Sequence, residues 1–102
     1  SLEHVESLIR LALVEGRRDV WDAAGTWLLK LQGDHADCRQ LWVELAGHES
    51  AEVRFRVASH LPDFGHGLRE EIYALLKDDR SRRVRNHVEG KWDYCQNPDR
   101  YV

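Results

Sequence analysis

The sequence predicts an all-α protein, an α-solenoid of three antiparallel helix pairs with six helices in total. Three observations carry this prediction. Apolar residues recur in register: Leu41, Leu45, Val53, Val57 and Leu61 return 31 residues later as Ile72, Leu76, Val84, Val88 and Trp92. The same row lies 33 residues earlier as Leu8, Ala12, Val20, Ala24 and Leu28. A period of this length marks units that cannot bury their own apolar face and must stack on a neighbour. Within each unit the apolar residues recur at three and four positions, and no segment alternates as a strand would. Glycine, proline and N-cap residues then punctuate the chain closely enough for short turns between helices.

The first helix is expected from about Leu2 to Val14, where Val5, Leu8, Ile9, Ala12 and Leu13 form one stripe, and Gly16 ends it. The second runs from about Asp19 to Leu31, with Val20, Ala24, Trp27, Leu28 and Leu31 inward, and Gly33 followed by Asp34 supplies a stop and a fresh cap. The third covers about His35 to Ala46, with Cys38, Leu41, Trp42 and Leu45 facing the core. Ser50 suits the N-cap of the fourth, because its hydroxyl can accept from a free amide of the first turn. Pro62 lacks the amide that a continuing helix requires, so the fourth should end near Leu61. After a turn at Gly65, His66 and Gly67, the fifth spans Leu68 to Lys77 with Leu68, Ile72, Leu75 and Leu76 apolar. Ser81 caps the sixth, which continues to about Tyr94 before Asn97 and Pro98 close it. The pairs therefore cover about 2–32, 34–64 and 66–95 of one domain, 1–102. Gly25 and Gly90 fall inside helices, where each costs about 1 kcal/mol relative to alanine, and are expected to mark close packing. Trp92, at the end of the stack, is expected to cap it together with Tyr94.

Composition narrows the class further. A hydrophobic content of 42%, a charged content of 32% and four tryptophans exclude a disordered chain, and no apolar run is long enough to span a membrane. Glu3, Glu6 and Arg10 interrupt the first apolar residues, so these do not read as a secretory signal. Cys38 and Cys95 have no metal-ligand partner nearby in sequence and read as two reduced thiols of a cytoplasmic protein. With no methionine and Ser1 first, the chain is expected to be a trimmed form or a segment. A formal charge of −3 argues against wholesale attraction to nucleic acid, yet its distribution is uneven. Residues 34–67 hold six acids against three bases, whereas Arg80, Arg82, Arg83 and Arg85 crowd one helix start.

The middle unit from Leu41 to Leu61, with Val53-Arg54 opening its second helix, and the last from Ile72 to Trp92, with Asp79 six residues before Arg85, resemble the HEAT and HEAT-like repeats. The resemblance covers about residues 35–95 well and the first pair weakly. It implies antiparallel helix pairs, an Asp and an Arg at this spacing that stabilise the turn between repeats, and second helices that line a concave binding surface. The first unit has Trp21 where the Arg would stand, and the second has His48 in place of the Asp.

If the second helices line that surface, their outward rows follow from turning each helix by 100° per residue from its core positions. The rows are Asp19/Glu52/Arg83, Asp22/Phe55/Asn86 and Thr26/Ser59/Gly90, flanked by Arg56 and His87. Candidate partner-binding residues are accordingly Asp19, Asp22, Thr26, Glu52, Phe55, Arg56, Ser59, Arg83, Asn86 and His87. Phe55 stands out because a phenyl ring nearly opposite Val53 and Val57 is either an interface anchor or packs under a neighbouring helix. Asp19, Asp22 and Glu52 beside it would suit a basic partner. The arginine cluster offers a phosphate patch as the competing reading, without an aromatic stacking platform in its own sequence. No histidine pair has helical ligand spacing, and no nucleophile, base and acid fall in a catalytic pattern, so no metal, cofactor or enzyme activity is expected. The expectation is a non-enzymatic protein-binding module. By family analogy its specific form is a small immunity (antitoxin) protein that occludes the active cleft of a basic toxin or nuclease domain. The alternatives are a nucleic-acid-binding or DNA-repair HEAT-like protein and a scaffold fragment of a longer solenoid.

Overall fold

Among the described residues six helices form where the apolar period and its punctuation place them. They are α1 (Leu2–Glu15), α2 (Arg18–Gln32), α3 (Ala36–Ala46), α4 (Ala51–Ser59), α5 (Leu68–Leu76) and α6 (Arg82–Gln96). Short 3₁₀ turns follow α4 at Leu61–Asp63 and α6 at Pro98–Tyr101. The computed structural model describes residues 2–32, 36–65 and 67–101, without the side chains of residues 2–6, 9, 13, 27–32 and 36–38. The expected core roles of Val5, Ile9, Leu13, Trp27, Leu28, Leu31 and Cys38 lie outside the described residues. So do the Gly33–Asp34 stop and the places of His35 and His66. Among the described residues there is no strand, and no helix is long and apolar enough to cross a membrane.

Local chemistry explains most boundaries. Ser81 adopts an extended backbone and its hydroxyl accepts from the Val84 amide at 3.4 Å, the expected cap. Ser50 also sits at an N-cap with extended backbone, but its hydroxyl makes no capping bond; its own amide donates to His48 Nδ1 at 3.0 Å instead. Helix α4 ends two residues before Leu61, because the chain tightens into the 3₁₀ turn that holds Pro62. Gly67 has φ of +90°, a conformation that a side chain disfavours, and its amide donates to Glu70 at 2.6 Å to open α5.

Each helix packs on its sequence partner, α1 on α2, α3 on α4 and α5 on α6. Between the later pairs, first helix meets first helix (α3 with α5) and second meets second (α4 with α6). The first pair joins the rest mainly through α2 on α3, with α1 reaching α4. The core is built on the register rows, Ala24, Leu41, Leu45, Val53, Val57, Leu61, Ile72, Leu76, Val84 and Val88, together with Trp21, Trp42, Ala46, Ala58, Phe64 and Leu68. Two register residues depart from this. Leu8 and Val20 were expected inward and are exposed. Leu75, also read as apolar core, lies on the outer side of α5 and is exposed.

A buried polar turn joins the second and third pairs. Arg54 donates to both carboxylate oxygens of Asp79, at 2.7 and 3.2 Å, and to the carbonyls of His48 and Glu49 at 2.7 and 2.9 Å. The Ser81 amide adds a bond to Asp79 at 2.8 Å. Burial pushes the Asp79 carboxyl up, but the bonds from Arg54 and Ser81 outweigh it and hold it below its ordinary range. The resemblance paired Asp79 with Arg85. In the structure the Arg85 side chain donates to the Asp79 backbone carbonyl at 2.6 Å, while the carboxylate serves Arg54 of the preceding pair. Arg54 repeats the Arg85 contact one unit earlier, since each bonds the carbonyl six residues before it.

Candidate binding groove

The second helices α2, α4 and α6 come together around one groove of about 470 Å³. Of the predicted partner-binding residues, Asp22, Glu52, Phe55, Arg56, Ser59, Arg83 and His87 line it, with Arg18, Trp21 and Lys91 beside them. Asn86 lines an adjoining cavity of about 560 Å³, together with Ser59, His87, Gly90, Lys91 and Tyr94. Asp19 and Thr26 are exposed on α2 and line neither space; the Thr26 hydroxyl instead donates to the Asp22 carbonyl at 3.1 Å.

Phe55 is half-buried and belongs to the seam between α4 and α6. Its ring stacks on the His87 imidazole with centroids 4.0 Å apart and planes at 14°, and the Arg83 guanidinium carbon lies 3.8 Å from the ring centroid. Such contacts contribute roughly 0.5–1.5 kcal/mol each beyond area burial. Arg83 also donates to Glu52 at 2.6 Å, across the 31 residues of the repeat period. Equivalent positions of consecutive units thus meet side by side.

The groove is not the acidic surface expected from composition. Glu52 is engaged by Arg83 and lies 3.8 Å from Arg56, so its charge is answered within the chain. Arg56 in turn donates to the Val14 carbonyl at 2.9 Å, tying α4 to α1. The lining carries Arg18, Arg56, Arg83 and Lys91 against Asp22 and Glu52, a cationic balance. The arginine cluster is largely structural. Arg80 donates to the Glu49 carbonyl at 2.9 Å, Arg83 to Glu52 and Arg85 to the Asp79 carbonyl. Arg82 alone of the four has no polar partner among the described residues.

Two features escape sequence reasoning. Ser59 Oγ lies 2.8 Å from His87 Nε2 and 3.1 Å from the Phe55 carbonyl oxygen. The hydroxyl proton can serve only one of these, so His87 either accepts it or donates its own. Burial pushes the His87 pKa down, and Lys91 and Arg83 push it the same way, which favours the neutral ring. Among the described residues no carboxylate contacts this imidazole, so the pair lacks the orienting acid of a catalytic triad. The second feature is His60, buried beneath the groove between Trp21 and Trp42, at centroid distances of 5.7 and 5.3 Å. Asp22 and Asp63 stand 3.8 and 3.7 Å from its two nitrogens. Burial depresses its pKa, and the two carboxylates only partly oppose this. A histidine one residue before an apolar row gives no hint of such burial, because its place depends on Gly25 of another helix. A Cβ on Gly25 would lie 2.3 Å from His60 Nε2.

The aromatic cap differs from expectation as well. Trp92 stacks on Tyr73, at 4.2 Å and 8°, while Tyr94 packs edge-on against Tyr101 at 5.3 Å. Gly90 has open space around its Cβ position and marks no close packing. Cys95 is a half-buried free thiol, and among the described residues no group of three His, Cys, Asp or Glu side chains is placed to hold a metal ion. Comparison with protein-family models, curated proteins and solved structures gives no match.

Proposed function

We propose that the chain is a HEAT-like solenoid of three helix pairs that binds another protein, without catalysis, through the groove between its second helices. One observation carries the reading: α2, α4 and α6 each contribute side chains to a single groove, and these include five residues of the outward rows and the flanking Arg56 and His87. A groove with an apolar floor at Trp21 and Phe55 and charged walls at Arg18, Arg83 and Lys91 suits a protuberance with an aromatic or aliphatic tip and acidic flanks. The internal pairing of Glu52 shifts the favoured partner surface from basic toward acidic. The specific form suggested by the resemblance is occlusion of a toxin domain's active cleft. Three arginines of the cluster are already bound to the chain itself, which supports a protein over a nucleic acid as partner.

Co-expression with the product of the adjacent open reading frame, followed by titration calorimetry on the purified pair, tests the reading. The charge reversals Arg18→Glu and Lys91→Glu are expected to weaken the complex by about tenfold each, or about 1.4 kcal/mol, because neither side chain makes a hydrogen bond or ion pair among the described residues. An affinity unchanged in both variants places the partner elsewhere and sinks the groove. Salt-sensitive retention on a DNA column, lost in Arg82→Glu, would move the assignment to nucleic acid.

A further inference from the structure

We propose that the cavity beside the groove, between α6 and the turn that holds Pro62, is an anchor site for a tyrosine side chain of the partner. This rests on the groove reading above and names the residue at the tip of the protuberance. The cavity of about 560 Å³ opens from the groove, because Ser59, His87 and Lys91 line both. That volume has room for one ring and the backbone that carries it. Gly90 on its wall has no structural reason to be a glycine. It lies inside α6, where it costs about 1 kcal/mol relative to alanine, yet it has no positive φ and nothing stands within 4 Å of its Cβ position. Gly25, the other glycine inside a helix among the described residues, is accounted for by His60. What Gly90 leaves is a bare stretch of helix backbone facing the cavity, on which a flat ring can lie closer than a side chain would permit.

One turn further along α6, Tyr94 continues this wall and meets Tyr101 edge-on at 5.3 Å. Asp93 fixes Tyr101 in place: it accepts from the Tyr101 hydroxyl at 2.6 Å, and from Asn97 and Arg100 at 2.9 and 3.1 Å. The two rings are nevertheless 46% and 53% exposed. A fixed, half-exposed aromatic pair beside bare backbone favours an aromatic occupant, since ring-on-ring contacts contribute roughly 0.5–1.5 kcal/mol beyond area burial. Charge narrows the choice. The groove is cationic, but the cavity carries one acid, Asp63, and one base, Lys91, and its His87 favours the neutral form. A balanced lining suits a neutral group better than a carboxylate. The Asn86 amide on the same wall has no polar partner among the described residues, so it can both donate to and accept from a hydroxyl. A phenol uses both capacities, an indole N–H only one and a phenyl ring neither. Acidic residues flanking such a tyrosine would meet Arg18 and Arg83 in the groove.

Amide chemical shifts of the full chain, followed by NMR during titration with N-acetyl-tyrosinamide, test the site. The resonances of Ser59, Asn86, Gly90, Lys91 and Tyr94 should move together, with a Kd in the millimolar range that a lone side chain allows. N-acetyl-phenylalaninamide and N-acetyl-tryptophanamide should bind about threefold more weakly, and N-acetyl-leucinamide about tenfold more weakly. Gly90→Leu fills the cavity with a helix-favouring residue and should abolish the shifts with the helical circular dichroism unchanged. Asn86→Ala should bring the tyrosine probe down to the phenylalanine one, and Leu75→Ala, on the outer side of α5, should change nothing. No movement of these resonances, an equal response to the leucine probe, tighter binding of the phenylalanine or tryptophan probe, or binding undiminished in Gly90→Leu overturns the proposal. The partner recovered by co-expression separates the two readings. A complex weakened about tenfold by Arg18→Glu but untouched by Gly90→Leu keeps the groove and removes its tyrosine anchor, whereas the reverse keeps the anchor and removes the charged groove.

Discussion

Between the second and third pairs, Arg54 and Asp79 are buried together and bonded to the turn on both sides, whereas the joint between the first and second pairs contains neither partner of that kind. There Trp21 occupies the register position of Arg54, and His48 stands where the third unit has Asp79. The first joint is filled instead by the Trp21, His60 and Trp42 rings, with Arg56 over Trp21 at 5.6 Å and its guanidinium on the Val14 carbonyl. Polar ladders demand fixed geometry, and Arg80 with Glu49 and Arg83 with Glu52 meet at the repeat period itself. Helix α1 reaches α4, and its contact with α3 includes the exposed Arg10–Glu44 pair at 2.8 Å. An apolar register therefore selects which rows are inward, while polar groups at the turn decide how strictly one unit stacks on the next.

The sharpest way to break this difference is to remove one partner of the buried pair. Asp79→Asn leaves the Arg54 guanidinium buried and only half answered, and should cost about 3–5 kcal/mol, a large share of the stability of a domain this size. Denaturant unfolding measures it. Pairing Asp79→Asn with Arg54→Met should recover much of the loss, since the uncompensated charge goes with the arginine. A cost below about 1 kcal/mol for the single change would mean that the second joint is apolar like the first.

The aromatic joint is probed by overfilling it. In Gly25→Ala the added methyl meets the His60 ring, which is held between two tryptophans and cannot move aside freely. The expected loss is about 1–3 kcal/mol, partly restored when His60→Ala is added. The same histidine makes this joint pH-sensitive. Its folded pKa lies below the ordinary 6.5, so between those two values the unfolded chain binds more protons than the folded one. Its contribution to stability is complete above about pH 6.5 and falls as pH drops toward the folded pKa. Asp22 and Asp63 limit that fall and Lys91 of α6 adds to it. Thermal unfolding followed from pH 7.5 to pH 5 should show this slope in the parent and a shallower one in His60→Gln, where the depressed His87 supplies the remainder. An unchanged slope would show that His60 titrates as in the open chain.

Much of this architecture was legible because helix periodicity and punctuation are local. All six helices start and stop within a few residues of their expected positions, and the inward rows of the second and third units are buried as read except for the half-buried Trp92 and the exposed Leu75. The groove was legible for the same reason, since a row on one helix continues along the next once the repeat length is known. What stayed hidden depends on contacts between distant residues. The Phe55 ring could not be placed without the position of α6, and Glu52 reads as a free acid until Arg83 is brought beside it. Leu8 and Val20 have core spacing, yet both are exposed in the structure described, which forgoes on the order of 1 kcal/mol each. Gly25 was legible as a close-packed helix position, but the buried His60 that presses on it carries no sequence signal of its own, because its place depends on that glycine of another helix.

The smallest effect separates the two interior glycines, which look alike in sequence. Gly25 is pressed against His60, but Gly90 has nothing within 4 Å of its Cβ position and no positive φ that a side chain would strain. In Gly90→Ala the helix therefore gains the backbone restriction of alanine without a clash, and α6 should be stabilised by about 0.5–1 kcal/mol. For a domain of this length that corresponds to a rise of about 2–8 °C in Tm, readable by calorimetry. Because Gly90 also lines the cavity beside Ser59 and His87, the new methyl reports on occupancy there. If a partner side chain enters this cavity, Gly90→Ala should weaken the complex while stabilising the free protein, whereas a methyl at Gly25 lowers stability first and reaches binding only through the fold. A loss of stability in Gly90→Ala would show that α6 is packed at that turn after all, and would remove the contrast between the two positions.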